Sequence, residues 1–144
     1  MAPMDPAHEA GLFDRAVAFW NQRDFHAAHE DWETLWHEAE GDRRAWLQGL
    51  IQYAAALFHF ERGFYATGFV KLMRSASERV SAHDPRGERI RFDQLQRELS
   101  AWHAHAARVD TGHGLREDAP SLPVIRYRDG VVPEPLPPDP AVAE

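Results

Sequence analysis

The sequence predicts an all-α fold: a compact bundle of about five helices, built from stacked helical hairpins and followed by a proline-rich irregular tail. Three observations carry this. Apolar residues recur at i, i+3, i+4 and i+7 in segments separated by polar or Gly/Pro turns, the pattern of amphipathic helices. The stretch 45–60 contains no Asp, Glu, Lys or Arg and is apolar on nearly every side, as suits a helix in the middle of a bundle. Seven of the ten prolines fall between Pro120 and Pro140, too many for helix. The domain reading follows: 1–110 as the helical bundle and 111–144 as an irregular extension.

Each element has its own signal. Residues 9–20 place Leu12, Phe13, Ala16, Phe19 and Trp20 on one helical face. The polar turn 21–24 ends this helix, and Asp24 is a candidate N-cap for the second, 25–40. Gly41-Asp42 separates the second from the third, with Asp42 as its candidate cap; the third, 43–62, is the apolar central helix and Gly63 breaks it. The fourth, 65–82, has Phe69, Leu72, Met73, Ala76 and Val80 inside and Lys71, Arg74 and Glu78 outside. Asp84-Pro85-Arg86-Gly87 is a turn, and the fifth helix, 88–109, packs Leu95, Leu99, Trp102 and Ala106. Beyond Thr111, 124–127 is a candidate short extended segment and 133–144 a disordered tail. A faint echo links the turns at 21–25 and 61–65, each followed by a small residue (Ala28, Gly68), as in helical hairpins whose helices approach closely.

Composition narrows the function. At 144 residues, 44% hydrophobic and 27% charged, the chain suits one soluble core. Zero cysteines exclude disulfides, thiol catalysis and Cys-ligated metals, and fit a cytoplasmic location. The stretch 1–11 lacks the basic start and apolar run of a signal peptide. A membrane span needs ~20 mostly apolar residues, and 45–60 is interrupted by Gln48, Gln52 and His59, so no membrane is expected. The net charge of -7 argues against nucleic acid as a partner. Arg43 and Arg44 read as a surface basic spot, and His8, His83, His103, His105 and His113 as solvated. The tryptophans read as core anchors.

The densest chemistry lies in 25–36, which holds His26, His29, Glu30, Asp31 and Glu33 between aromatic residues. At ~100° per residue, Phe25, Ala28, Trp32, Leu35, Trp36 and Ala39 form the core stripe. His26, Glu30, Glu33 and His37 form a polar face, and His29 falls between the two. On the third helix Gln48, Gln52 and His59 share a seam. The expectation is that Gln52 and His59 face His29 and Glu33 across one helix–helix interface.

Three readings fit these residues. The first is a hydrogen-bonded polar network of His29, Glu30, Glu33, Gln48, Gln52 and His59 that sets helix register. If that network is buried, Glu33→Ala costs a few kcal/mol because it strands its partners. The second is a divalent-metal site on His29 and Glu33, at the i, i+4 spacing of zinc-protease helices. His59 or His26 would complete that site and Glu30 would stand as general base. The third is metal-free acid–base catalysis by Glu33 and His29, without an evident nucleophile or oxyanion hole.

The combination Phe25-x-x-Ala28-His29-Glu30-x-x-Glu33-x-x-Trp36, Gln48-Gly49-Leu50-Ile51-Gln52-x-Ala54 and His59-x-x-x-Gly63 resembles the family catalogued as domain of unknown function three hundred and nine. The resemblance spans roughly residues 12–80. Gly63-Phe64 and Gly68-Phe69 depart from its usual Gly-Asn and Gly-Ala. It implies a small helical bundle, no established activity, and a motif that includes His29, Glu30, Glu33, Gln52 and His59. The functional expectation is a non-enzymatic interaction or structural module without a cofactor, able to engage a protein partner or itself. The alternative is a metal-dependent hydrolase.

Overall fold

The computed structural model describes residues 4–63, 67–110 and 118–134. Five α-helices follow one another: α1 (Pro6–Asn21), α2 (Phe25–Glu38), α3 (Gly41–Glu61), α4 (Thr67–Val80) and α5 (Phe92–Asp110). Consecutive helices pack as antiparallel neighbours, α1 on α2, α2 on α3, α3 on α4 and α4 on α5. The expected compact all-α bundle is what forms.

Local chemistry sets most boundaries. Asp5 caps α1 by accepting the Ala7 N–H at 3.2 Å, and Pro6 opens the helix, so α1 begins before residue 9. Asp24 caps α2 as expected, accepting the Ala27 N–H at 3.1 Å. Asp42 does not cap α3: the cap position is Glu40, without a side-chain bond, and α3 starts at Gly41 with φ +64°. Arg23 and Gly63 turn the chain after α1 and α3 in the left-handed region, at φ +66° and +82°. Asp84 accepts the Arg86 N–H at 3.0 Å and forms the expected turn at 85–87. The residues at 64–66 lie outside the described part, so the echo between the two turns is seen only in Arg23 and Gly63.

The core is aromatic. Trp20 sits 4.8 Å from Tyr53, 5.0 Å from Phe25 and 5.6 Å from Trp32, ring centroid to centroid, joining α1, α2 and α3. Phe60 meets Trp102 edge-on at 4.9 Å and brings α5 in. Four tryptophans are buried; Trp36 is only partly so, with the Arg44 guanidinium 4.1 Å over its ring. Gly49, not Gly68, marks the close helix contact: a Cβ at Gly49 would lie 2.9 Å from Val80 of α4, whereas one at Gly68 meets nothing.

Residues 118–134, within the irregular extension, lie against the bundle. Pro123, Ile125 and Tyr127 are buried. The Trp20 indole N–H donates to the Pro123 carbonyl at 2.9 Å, and the Asn21 amide exchanges two bonds with Ile125 at 2.9 and 2.8 Å. The strap thus supplies acceptors to two indoles of the core, the Trp102 N–H donating to the Ser121 carbonyl at 3.2 Å. The extended reading of 124–127 agrees with an antiparallel bridge between Ile90 and Tyr127. The tail beyond residue 134 lies outside the described residues.

Several dispersed side chains are less solvated than their spacing suggests. Arg43 is no free surface charge: it donates to Glu9 at 2.5 Å and Glu88 at 2.8 Å. His83 stands 3.4 Å from the same Glu88 carboxylate. His103 is half-buried, His8 is exposed and His113 lies outside the described residues. His105 is only 3% exposed, wedged edge-on against Phe60 and Trp102 at 5.9 Å. Neither of its ring nitrogens has a hydrogen-bond partner among the described residues. Burial lowers its pKa from 6.5, nearby Arg108 adds to this, and Asp118 opposes it. The unfolded chain therefore takes up a proton at a pH where the folded ring resists it. The stability this ring confers is present above pH 6.5 and lost as pH falls from there towards the lowered folded value. A series of urea unfolding curves from pH 8 to 5 is expected to show a steeper acid-side loss for the parent chain than for His105→Phe. Equal slopes would mean that the ring titrates normally.

Candidate functional site

The polar residues of α2 form a ladder along one face because i and i+4 side chains are neighbours on a helix. His26 Nε2 lies 2.6 Å from Glu30 Oε1, His29 Nε2 3.2 Å from Glu33 Oε2, and His37 Nε2 3.9 Å from Glu33 Oε1. These pairs are solvated; the Glu33 side chain is 46% exposed and that of Glu30 62%. Glu33→Ala is accordingly expected to change the unfolding free energy by under about 0.5 kcal/mol, not by the few kcal/mol a buried network implies. A loss well above that in urea titration would restore the buried reading.

Across from this face, α3 supplies Ala55, Phe58 and His59. With Phe25, His26 and His29 of α2 they line a cleft of about 220 Å³. The structure thus brings His29 and His59 to one place, as their two seams suggested. It does not close the expected network. Gln48 turns to α4, where its Oε1 accepts from Arg79 at 3.0 Å. Gln52 Oε1 and His29 Nδ1 are buried without a hydrogen-bond partner among the described residues. Glu30 is engaged with His26, on the outer face.

Aromatic contacts shape the cleft. His26 lies 5.9 Å from His29 and 5.3 Å from Phe58, and Phe58 lies 6.0 Å from His59. The Arg62 guanidinium lies over the Phe58 ring, 5.2 Å from its centroid. Among the described residues no group of three His, Asp or Glu side chains is gathered as a metal ion requires. The lining contains neither a hydroxyl nor a carboxylate, so its only chemically active groups are the imidazoles of His26, His29 and His59.

Two features escaped the sequence reading. Phe58 is one; it reads as one more apolar residue of α3 until α2 is placed beside it. The other is a buried ion pair, Arg15 of α1 with Asp31 of α2, whose Nε–Oδ2 and Nη2–Oδ1 distances are 2.8 and 2.9 Å. A signal existed for it: Arg15 stands three residues after Leu12 and one before Ala16, within the apolar stripe of α1. Asp31 borders the core stripe of α2 on the side opposite His29.

The comparisons with known proteins are brief. Residues 13–75 match the family model described as Domain of unknown function (DUF309), a span that includes both walls of the cleft and the Arg15–Asp31 pair. No curated protein matches the chain, and no solved structure does. None of the described helices is long and apolar enough to cross a membrane.

Proposed function

We propose, for a chain whose residues 13–75 match the model of the DUF309 family of domains of unknown function, a non-enzymatic role as a helical interaction module. It holds a cationic side chain of a protein partner in the α2–α3 cleft. The observation that carries this reading is the lining of the cleft: two phenyl and three imidazole rings around about 220 Å³, with neither a hydroxyl nor a carboxylate among them. A neutral His29 that donates from Nε2 to Glu33 leaves Nδ1 as a buried acceptor, which a ligand N–H satisfies. Phenyl faces attract guanidinium and ammonium groups, as Phe58 already does with Arg62. Glu30 and Glu33 on the adjoining face and the net charge of -7 favour a basic partner. A cytoplasmic setting accords with the cysteine-free composition.

Amide chemical shifts of the full chain, titrated with acetyl-arginine-amide to roughly millimolar concentrations, test this. Shifts confined to residues 25–29 and 55–59, and lost in His29→Leu and Phe58→Leu, are expected. Shifts spread over the acidic surface, or unchanged in both variants, reject it.

A further inference from the structure

A second cavity lies on another part of the molecule and is independent of the cleft. Ile90 and Tyr127 form an isolated antiparallel bridge and both are buried. The Arg91 N–H donates to the Arg126 carbonyl at 2.7 Å and the Arg128 N–H to the Arg89 carbonyl at 2.8 Å. Side chains alternate along extended backbone. Arg91, Arg126 and Arg128 alternate with Ile90 and Tyr127 and are exposed; Arg89 is exposed too, but its guanidinium turns back over the Tyr127 ring, 5.7 Å from the centroid. This register sets Arg91 across from Arg126 and Arg89 across from Arg128. Like charges directly opposite one another are destabilising.

Two of the four are compensated. Arg89 pairs with Asp14 at 2.6 Å, and Arg128 donates to the carbonyls of Arg86 and Pro85 at 3.3 and 3.2 Å. The guanidinium groups of Arg91 and Arg126 have no hydrogen-bond or ion-pair partner among the described residues. Both line a cavity of about 450 Å³ whose other walls include Asn21, Val124 and Val132. Its one acid, Asp129, spends Oδ1 on the Val131 N–H at 2.9 Å. An acidic protein thus concentrates uncompensated positive charge on the wall of a cavity.

We propose that this cavity binds a small phosphate monoester, its phosphoryl oxygens bridging Arg91 and Arg126. A phosphate monoester carries nearly two negative charges at neutral pH, matching the two guanidinium groups, and its oxygens suit their bidentate geometry. The volume exceeds that of the bare ion and lies in the range of small-ligand sites. The organic part rests against Val124 and Val132, which are 39% and 79% exposed.

Calorimetric titration of the full chain in phosphate-free buffer tests this with phenyl phosphate, inorganic phosphate, benzoate and phenol. Phenyl phosphate is expected to bind most tightly, inorganic phosphate more weakly, and phenol not measurably. Arg91→Gln and Arg126→Gln each are expected to weaken phenyl phosphate by about tenfold. Without ligand both variants are expected to melt no lower than the parent, because each removes a like-charge repulsion and keeps the backbone bonds. Phenyl phosphate binding no better than phenol, or unchanged in the double variant, overturns the site. Benzoate binding as tightly overturns the phosphoryl assignment.

Discussion

Asp31→Ala is expected to destabilise the fold by about 3–5 kcal/mol, read from the urea midpoint at an unchanged denaturant slope. Arg15 and Asp31 are 8% and 7% exposed, and their fork of two bonds ties α1 to α2 beneath the aromatic core. Removing the carboxylate leaves a guanidinium with little water and without its main acceptor, which is costlier than the intact pair is favourable. The double variant Arg15→Met/Asp31→Leu is therefore expected to recover most of the loss, since apolar residues of similar volume often replace a buried pair without net cost. A single-variant loss under about 1 kcal/mol would mean that water reaches the pair freely.

Gly49→Ala is the second large effect. Its Cβ would lie 2.9 Å from Val80 Cγ2, 2.9 Å from Val80 N and 3.1 Å from Arg79 Cβ. Two of these are fixed by the backbone of α4, so a rotamer change cannot relieve them and α3 and α4 must separate. Overpacking of this kind costs about 1–3 kcal/mol. The better helix propensity of alanine, worth about 1 kcal/mol, offsets part of it. Gly49→Val, with further atoms to place and no comparable propensity gain, is expected to exceed Gly49→Ala in cost. Val80→Ala is expected to rescue Gly49→Ala only partly, because it removes Cγ2 and leaves Val80 N. A stabilised Gly49→Ala in thermal melts would show that the two helices separate easily.

The helices and their inner faces were legible because they are local properties. The stripe Leu12, Phe13, Ala16 and Trp20 and the uncharged run around Leu50 follow from the helical repeat alone; the stripe is buried, and so are Trp46, Leu47, Leu50, Tyr53, Leu57 and Phe60 of the run. The ends moved by a few residues where capping chemistry intervened, as Asp5 and Pro6 did at α1. The candidate site was half legible. Helical spacing singled out His29 and His59, and both line the cleft, but it could not show that Gln48 turns to Arg79 on α4.

By itself, then, the sequence determined that the chain is a five-helix bundle, which side of each helix is apolar, and that 25–36 and 48–59 hold its densest polar chemistry. Periodicity suffices for this because a helix places each side chain by backbone geometry alone. The tertiary structure decided which polar groups meet. Arg15 and Asp31 are 16 residues apart and Asn21 and Ile125 are 104 apart, and no local pattern links either pair. Such contacts depend on the angle and register at which helices pack, which the whole core sets at once. The same packing set the proline-rich strap against Trp20 and Trp102, whose indole N–H groups donate to its carbonyls at Pro123 and Ser121. It also set four arginines side by side on an acidic protein.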